Sequence, residues 1–99
     1  MIQLVAVLTA HPGKRDALLA RFKQLLPVVH AEDGCIEYFP TVDLDSSPDK
    51  FGSDAIVVIE KWETKAQLDA HGVAPHMSAF RADVKEIPAK AEIFMLREV

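Results

Sequence analysis

The chain predicts an α+β fold: a four-stranded antiparallel sheet with its helices on one face, in the order β-α-β-β-α-β. Three observations carry this. Short apolar runs rich in β-branched residues stand at 2–9, 35–42 and 55–62, and another closes the chain. Segments of helical spacing separate the first run from the second and the third from the last. With 99 residues, there is material for a single domain, 1–99, and too little for two.

The first run, "IQLVAVLT", is a buried strand, and "AHPG" is the turn after it. From Lys14 the period changes. Leu18, Phe22, Leu25 and Val29 are spaced by four, three and four, which makes one stripe on a helix. Pro27 lies inside that helix and removes a backbone donor, at a cost of up to about 3 kcal/mol or a kink. "AEDG" ends it, with Gly34 free to take the positive φ of a helix-terminating residue.

A second strand, Cys35 to Val42, follows. The polar stretch "DLDSSPDKFGSD", 43–54, is the one long loop and the expected mobile segment. "AIVVIEKW", 55–62, is the strongest strand. Thr64 can cap the helix "KAQLDAH", and a second helical piece runs from about Pro75 to Val84, with Pro75 placed at its first turn. Pro88 punctuates, and "EIFMLREV" is the last strand. The doubled β-α-β unit is the split βαβ, or ferredoxin-like, arrangement.

A sheet covered on one side alternates apolar and polar residues. These strands do not. Leu4 and Ala6 are apolar, and so are Val5 and Val7; Ile56 and Val58 alternate with Val57 and Ile59; Ile93 and Met95 with Phe94 and Leu96. The helices cover one face only. A second copy of the chain is the simplest cover for the other, because each large apolar side chain buried contributes roughly 1.5–3 kcal/mol. A homodimer packed sheet against sheet is therefore expected.

The formal net charge is −4 and the pI about 5.5. No Lys/Arg cluster exceeds the pair Lys14-Arg15. Nucleic acid and anionic membranes are not expected partners. Cys35 is the one cysteine; an internal disulfide is impossible, zinc-ligand spacings are absent, and the thiol reads as a small buried hydrophobe. The apolar N-terminus has no basic leader and is too short for a signal peptide or a membrane span, so the cytoplasm is the expected compartment.

The order of elements, with "GCIEYF" opening strand two, "EKW" ending strand three and "LDAHGVAPHMSAF" after it, resembles the antibiotic biosynthesis monooxygenase domain, a dimeric α/β-barrel family whose small stand-alone members include quinol monooxygenases. The matching residues are Gly34, Cys35, Tyr38, Glu60, Trp62, Leu68, His71, Pro75, His76 and Phe80. The resemblance spans essentially the whole chain. Two departures stand out. The loop from Val42 to Asp54 is longer than in many relatives, so no substrate contact carries over to it. Strand one, "MIQLVAVLTA", lacks the Asn of the haem-degrading branch.

The resemblance implies a cofactor-independent monooxygenase acting with O₂ on a quinol, anthrone or similar hydroxylated aromatic. Such a substrate, once deprotonated, can itself pass an electron to O₂. The protein supplies a base, a dry pocket and a donor for the oxygenated intermediate. No Gly-rich loop follows a strand, so no flavin, NAD or phosphate motif is present, and no cofactor is expected. The alternative is a non-catalytic dimeric barrel binding a small hydrophobic ligand.

His76 is the first candidate base and His71 the second, because imidazole titrates near neutral pH. The favoured reading of both is nonetheless structural: His76 begins a helix and bonds backbone carbonyls, and His71 ends one near its C-terminus. As metal ligands they fit poorly: on a continuous helix a spacing of five turns side chains about 140° apart; a break at Gly72 could bring them together, but no third ligand is evident, so no metal is expected. Trp62, Tyr38, Glu60 and Phe80 are the candidate substrate contacts. Trp62 is either a core residue or an aromatic wall. Glu60 either pairs with a basic residue such as Arg97, the favoured reading, or lines the pocket with a raised pKa. Tyr38 either donates to a substrate oxygen or is a satisfied core hydroxyl. His11 and His30, flanking the first helix, read as surface residues.

Overall fold

The computed structural model describes residues 1–44 and 50–99. Strands β1 (Ile2–Ala10), β2 (Cys35–Thr41), β3 (Ala55–Trp62) and β4 (Pro88–Arg97) form one antiparallel sheet in the order β2-β3-β1-β4. Helix α1 (Arg15–His30) joins β1 to β2, while α2 (Lys65–Gly72) and α3 (Pro75–Val84) join β3 to β4. This is the ferredoxin-like arrangement. The centre of the polar loop expected to be mobile, residues 45–49, lies outside the described residues.

Local chemistry explains the element ends. The α1 stripe Leu18, Phe22, Leu25 and Val29 is buried as its spacing predicts, and the helix continues through Pro27 to His30. Gly34 then takes φ +81°, and a Cβ there would collide with the Gln67 side chain. Two constraints thus favour glycine, one of conformation and one of space. Thr64 caps α2, its hydroxyl accepting from the Gln67 amide at 3.2 Å. Pro75 opens α3, where no backbone donor is needed. The last strand begins earlier than its apolar run suggests, at Pro88 rather than 92. β4 is an edge strand, and a proline at the start of an edge strand leaves no ladder donor missing.

The register sorts the apolar residues into two faces. One row across all four strands reads Tyr38, Glu60, Leu4, Met95; the next reads Phe39, Ile59, Val5, Phe94. The first row faces the helices. Leu4, Ala6, Ile56, Val58 and Trp62 pack there with the α1 stripe, Leu68, Met77 and Val84 in one core. The helices do not extend over β4, whose inward residues Ile93 and Met95 remain 54% and 55% exposed. That gap is the open side of a cavity. On the second face Phe39, Phe94 and Leu96 stay 41%, 47% and 50% exposed among the described residues. Both faces are therefore apolar, as the unbroken strand pattern indicates. No helix of the described residues is long and apolar enough to cross a membrane.

Candidate active site

Between the sheet and α2/α3 lies a cavity of about 730 Å³. Its walls are mostly aliphatic and aromatic, with Phe22, Tyr38, Phe80 and Met77 among them. Few polar groups reach it. Glu60 and His71 do so from the wall, and Asp69, Arg81 and Lys85 also line it.

His71 sits in the last turn of α2 and is 5% exposed. Its ring lies against Trp62, with centroids 4.7 Å apart, and meets Tyr38 edge-on at 5.4 Å. Nδ1 of His71 is 2.8 Å from Oε2 of Glu32, while Nε2 lies on the Glu60 side, 3.9 Å from its Oε1. A carboxylate only accepts, so a Glu32 carboxylate fixes the proton of His71 on Nδ1 and leaves the Nε2 lone pair toward Glu60.

The same Glu32 oxygen is 2.8 Å from Nε2 of His76. The five-residue spacing of the two histidines would separate them on one helix. The chain instead breaks at Val73-Ala74 between α2 and α3, which brings both rings to one carboxylate. Glu32 was not singled out by the sequence. It comes from the turn after α1, 39 residues before His71 and 44 before His76. Its signal was faint: an acidic residue beside the helix-ending glycine. Glu32, His71 and His76 offer three donor atoms within 4.8 Å of one another, the one such group among the described residues. In the hydrogen-bonded form each of those imidazole nitrogens carries a proton, so a cation would have to displace both.

Glu60 is 5% exposed. Its Oε1 accepts from Nε1–H of Trp62 at 3.0 Å. Burial pushes its carboxyl up to about 7; the Trp62 hydrogen bond opposes this, and the charge of Glu32 adds to it. The favoured pairing of Glu60 with Arg97 is not made. Arg97 stands in the row of Ile2 and Trp62, on β4, two strands away from β3. At about 4.8 Å per strand the two are roughly 10 Å apart across the sheet, besides being in different rows. Burial also raises the Tyr38 phenol, with Glu60 and Glu32 adding to it, so the hydroxyl stays protonated and can only donate as an acid. Burial, Glu32 and Glu60 likewise raise the Cys35 thiol, which fits an inert side chain.

Of the candidate residues, the structure brings His71, Glu60, Tyr38 and Phe80 to the cavity wall. His76 stands outside it, beyond Glu32. Trp62 is fully buried one layer behind, where it supports the His71 ring and the Glu60 carboxyl; Phe22, Tyr38 and Phe80 supply the aromatic surface. His30 is exposed, as expected, though its Nε2 bonds the Tyr38 carbonyl at 2.7 Å.

An apolar cavity with a buried carboxyl and an oriented imidazole, on a ferredoxin-like sheet, defines a small α+β domain with a candidate ligand cavity. The family follows from comparison. Residues 1–83 match the antibiotic biosynthesis monooxygenase model, and the chain belongs to that family. It is 39% identical over 89 residues to "Probable quinol monooxygenase YgiN" of Escherichia coli K12, covering 86% of each chain. Among solved structures, PA3566 from Pseudomonas aeruginosa superposes with a TM-score of 0.83 at 26% identity, covering 99% of this chain and 93% of that one. Rv0793 from Mycobacterium tuberculosis gives 0.83 at 25% identity, covering 99% and 94%.

Proposed function

We propose that this protein oxidises a hydroxylated aromatic, a quinol or an anthrone, with O₂ and without a cofactor. The observation that carries the reading is the His71 imidazole. Glu32 holds its Nδ1, and its Nε2 faces the Glu60 carboxyl at the wall of an apolar cavity. This is the geometry of a general base oriented by a carboxylate. The placement moves His71 ahead of His76 as the base.

Nε2 of His71 takes the phenolic proton. The resulting anion is electron-rich in a site with little water, and it passes one electron to O₂. The radical pair joins to a peroxide on a ring carbon. Breaking the O–O bond leaves one oxygen on the product and releases the other as water. A quinol and O₂ thus give a hydroxyquinone and water, with all atoms and electrons accounted for. Tyr38, kept protonated, donates to a substrate oxygen. Glu60, near its midpoint at neutral pH, hands a proton to the departing oxygen as the peroxide collapses and regains one from His71 beside it. Phe22 and Phe80, packed on each other with centroids 4.9 Å apart, form one aromatic wall for the planar ring.

The same reading takes a second copy of this chain as the cover for the outer row Phe39, Ile59, Val5 and Phe94. Oxygen uptake on admitting air to anaerobic protein with a panel of quinols and anthrones tests the activity. Uptake is expected, with His71→Ala lowering kcat by about 10²–10⁴-fold. Ligand binding without any uptake would support a non-catalytic binding protein instead.

A further inference from the structure

We propose that Glu32 and His76 form a proton path between the buried base and solvent, so that His76 acts through Glu32 and never touches the substrate. This rests on the reading of His71 as the base. The exposure of the three side chains rises in one direction: 7% for His71, 14% for Glu32 and 29% for His76. Both links are 2.8 Å, and both end on the same oxygen, Oε2 of Glu32.

Other exits are poor. The groups that face His71 are Tyr38 from β2, Glu60 and Trp62 from β3, Glu32 from the turn after α1 and, through Glu32, His76 from α3. Tyr38 and Glu60 line the cavity and are shut off once an aromatic ligand fills it. The indole of Trp62 is fully buried and donates only. The face of His71 away from Glu60 is the side with a polar route outward.

A route is useful because the substrate anion survives only if its proton does not stay beside it. His71 takes the proton on Nε2 and gives the one on Nδ1 to Glu32. Once Glu32 is the donor the second contact reverses: His76, which donated Nε2–H to the carboxylate, exchanges with water to the tautomer protonated on Nδ1, and its Nε2 then accepts the proton from Glu32. His76 releases that Nδ1 proton to water. When the peroxide collapses and water forms, the site needs a proton back. The same chain run in reverse supplies it and restores both tautomers, so no net proton is gained or lost. His76 is thus a positioning and relay residue, and a Gln at 76 keeps a donor for Glu32 but cannot carry a proton.

The test needs no substrate for its first arm. In protein labelled with nitrogen-15 at the histidine rings, exchange of the His71 Nδ1 proton with water is followed by NMR for the wild type and His76→Gln. At least a tenfold slower exchange is expected in the variant, and unchanged exchange overturns the path, whether or not the protein is an enzyme. In the second arm, His76→Gln should lower kcat for the quinol that wild type oxidises best, leave KM within about twofold, and make kcat rise with the concentration of a small buffer base. Slower exchange with unchanged kcat would mean that turnover does not use the path, which also overturns the proposal. Wild type that consumes no O₂ refutes the oxidative reading alone, because the exchange arm still reports on the path. Should His76→Gln fail to fold, His76→Asn, too short to reach Glu32, is measured in the same two ways, with the same results expected and the same results fatal.

Discussion

Replacing Glu60 by Gln should stabilise the protein, and only at neutral to alkaline pH. The amide keeps the size of the side chain, and its oxygen can still accept from Trp62 Nε1, which now bonds Oε1 of Glu60 at 3.0 Å. What disappears is the charge. The Glu60 carboxyl is raised from 4.5 to about 7, with burial the main cause. A raised acid contributes fully below its unfolded pKa, and that contribution is lost as pH climbs through the folded value. Wild type therefore loses stability between about pH 4.5 and pH 7, while the Gln variant does not. The gap of about 2.5 pH units, at about 1.4 kcal/mol each, gives an upper figure of roughly 3 kcal/mol. Relaxation around an ionised Glu60 reduces this to about 1–3 kcal/mol, or several degrees in Tm for a domain of this size. Urea unfolding at pH 5 and pH 8.5, with protein concentration held fixed, measures it. A variant whose stability relative to wild type is the same at both pH values would refute the account of Glu60 as a carboxyl strained by burial.

Further outcomes follow from the same geometry. A charge on the outer face, Val5→Asp or Phe94→Asp, should convert a homodimer of about 22 kDa, twice the 11.0 kDa chain, into monomer by sedimentation at low micromolar concentration; a wild type already monomeric there would rule out the dimer. Gly34→Ala should destabilise by about 1 kcal/mol or more by urea unfolding, since it meets both a positive φ and the Gln67 side chain. Thr64→Ala should lose roughly 1 kcal/mol with the α2 cap. Oxidative turnover should survive exhaustive chelation and dialysis, and activity restored only by added metal would place a cation in the mechanism.

The features legible in the sequence were those set by neighbours in the chain. The α1 stripe, the Thr64 cap, the Pro75 start and the positive φ of Gly34 each depend on a few adjacent residues. So does the fold, because the apolar runs and helical periods come in one order. The lining of the candidate cavity was legible in part. His71, Glu60, Tyr38 and Phe80 could be named, but their neighbours could not be assigned. The ladder explains why. β2 shifts register against β3 between Cys35 and Glu37, and β1 against β4 between Thr9 and Ala10. Shifts of this kind decide which residue faces which, and no local pattern announces them. Glu60 meets Trp62 for a simpler reason, two residues along the same strand face, while the strand order sets Arg97 two strands away. Glu32 was hidden for a related reason: its two imidazole partners lie far along the chain and face it only because the helix breaks at Val73-Ala74.

The two faces of the sheet are not independent. Each residue of β4 that points into the cavity is flanked by one that points out: Ile93 and Met95 inward, Phe94 and Leu96 outward. β4 is an edge strand that the helices leave half exposed on its inner side. It is held by pairing with β1 alone. A second copy seated on Phe94 and Leu96 would pin β4 from the outer side, and with it the Ile93 and Met95 surface that lines the open side of the cavity. In the proposed dimer, then, the contact that buries the outer row also fixes the inner surface against which an aromatic ring must lie to bring its hydroxyl to Nε2. Since bringing reacting groups to about 3 Å accounts for much of general-base catalysis, assembly and chemistry would depend on the same strand, and the apolar character of both its faces is what that dual role requires.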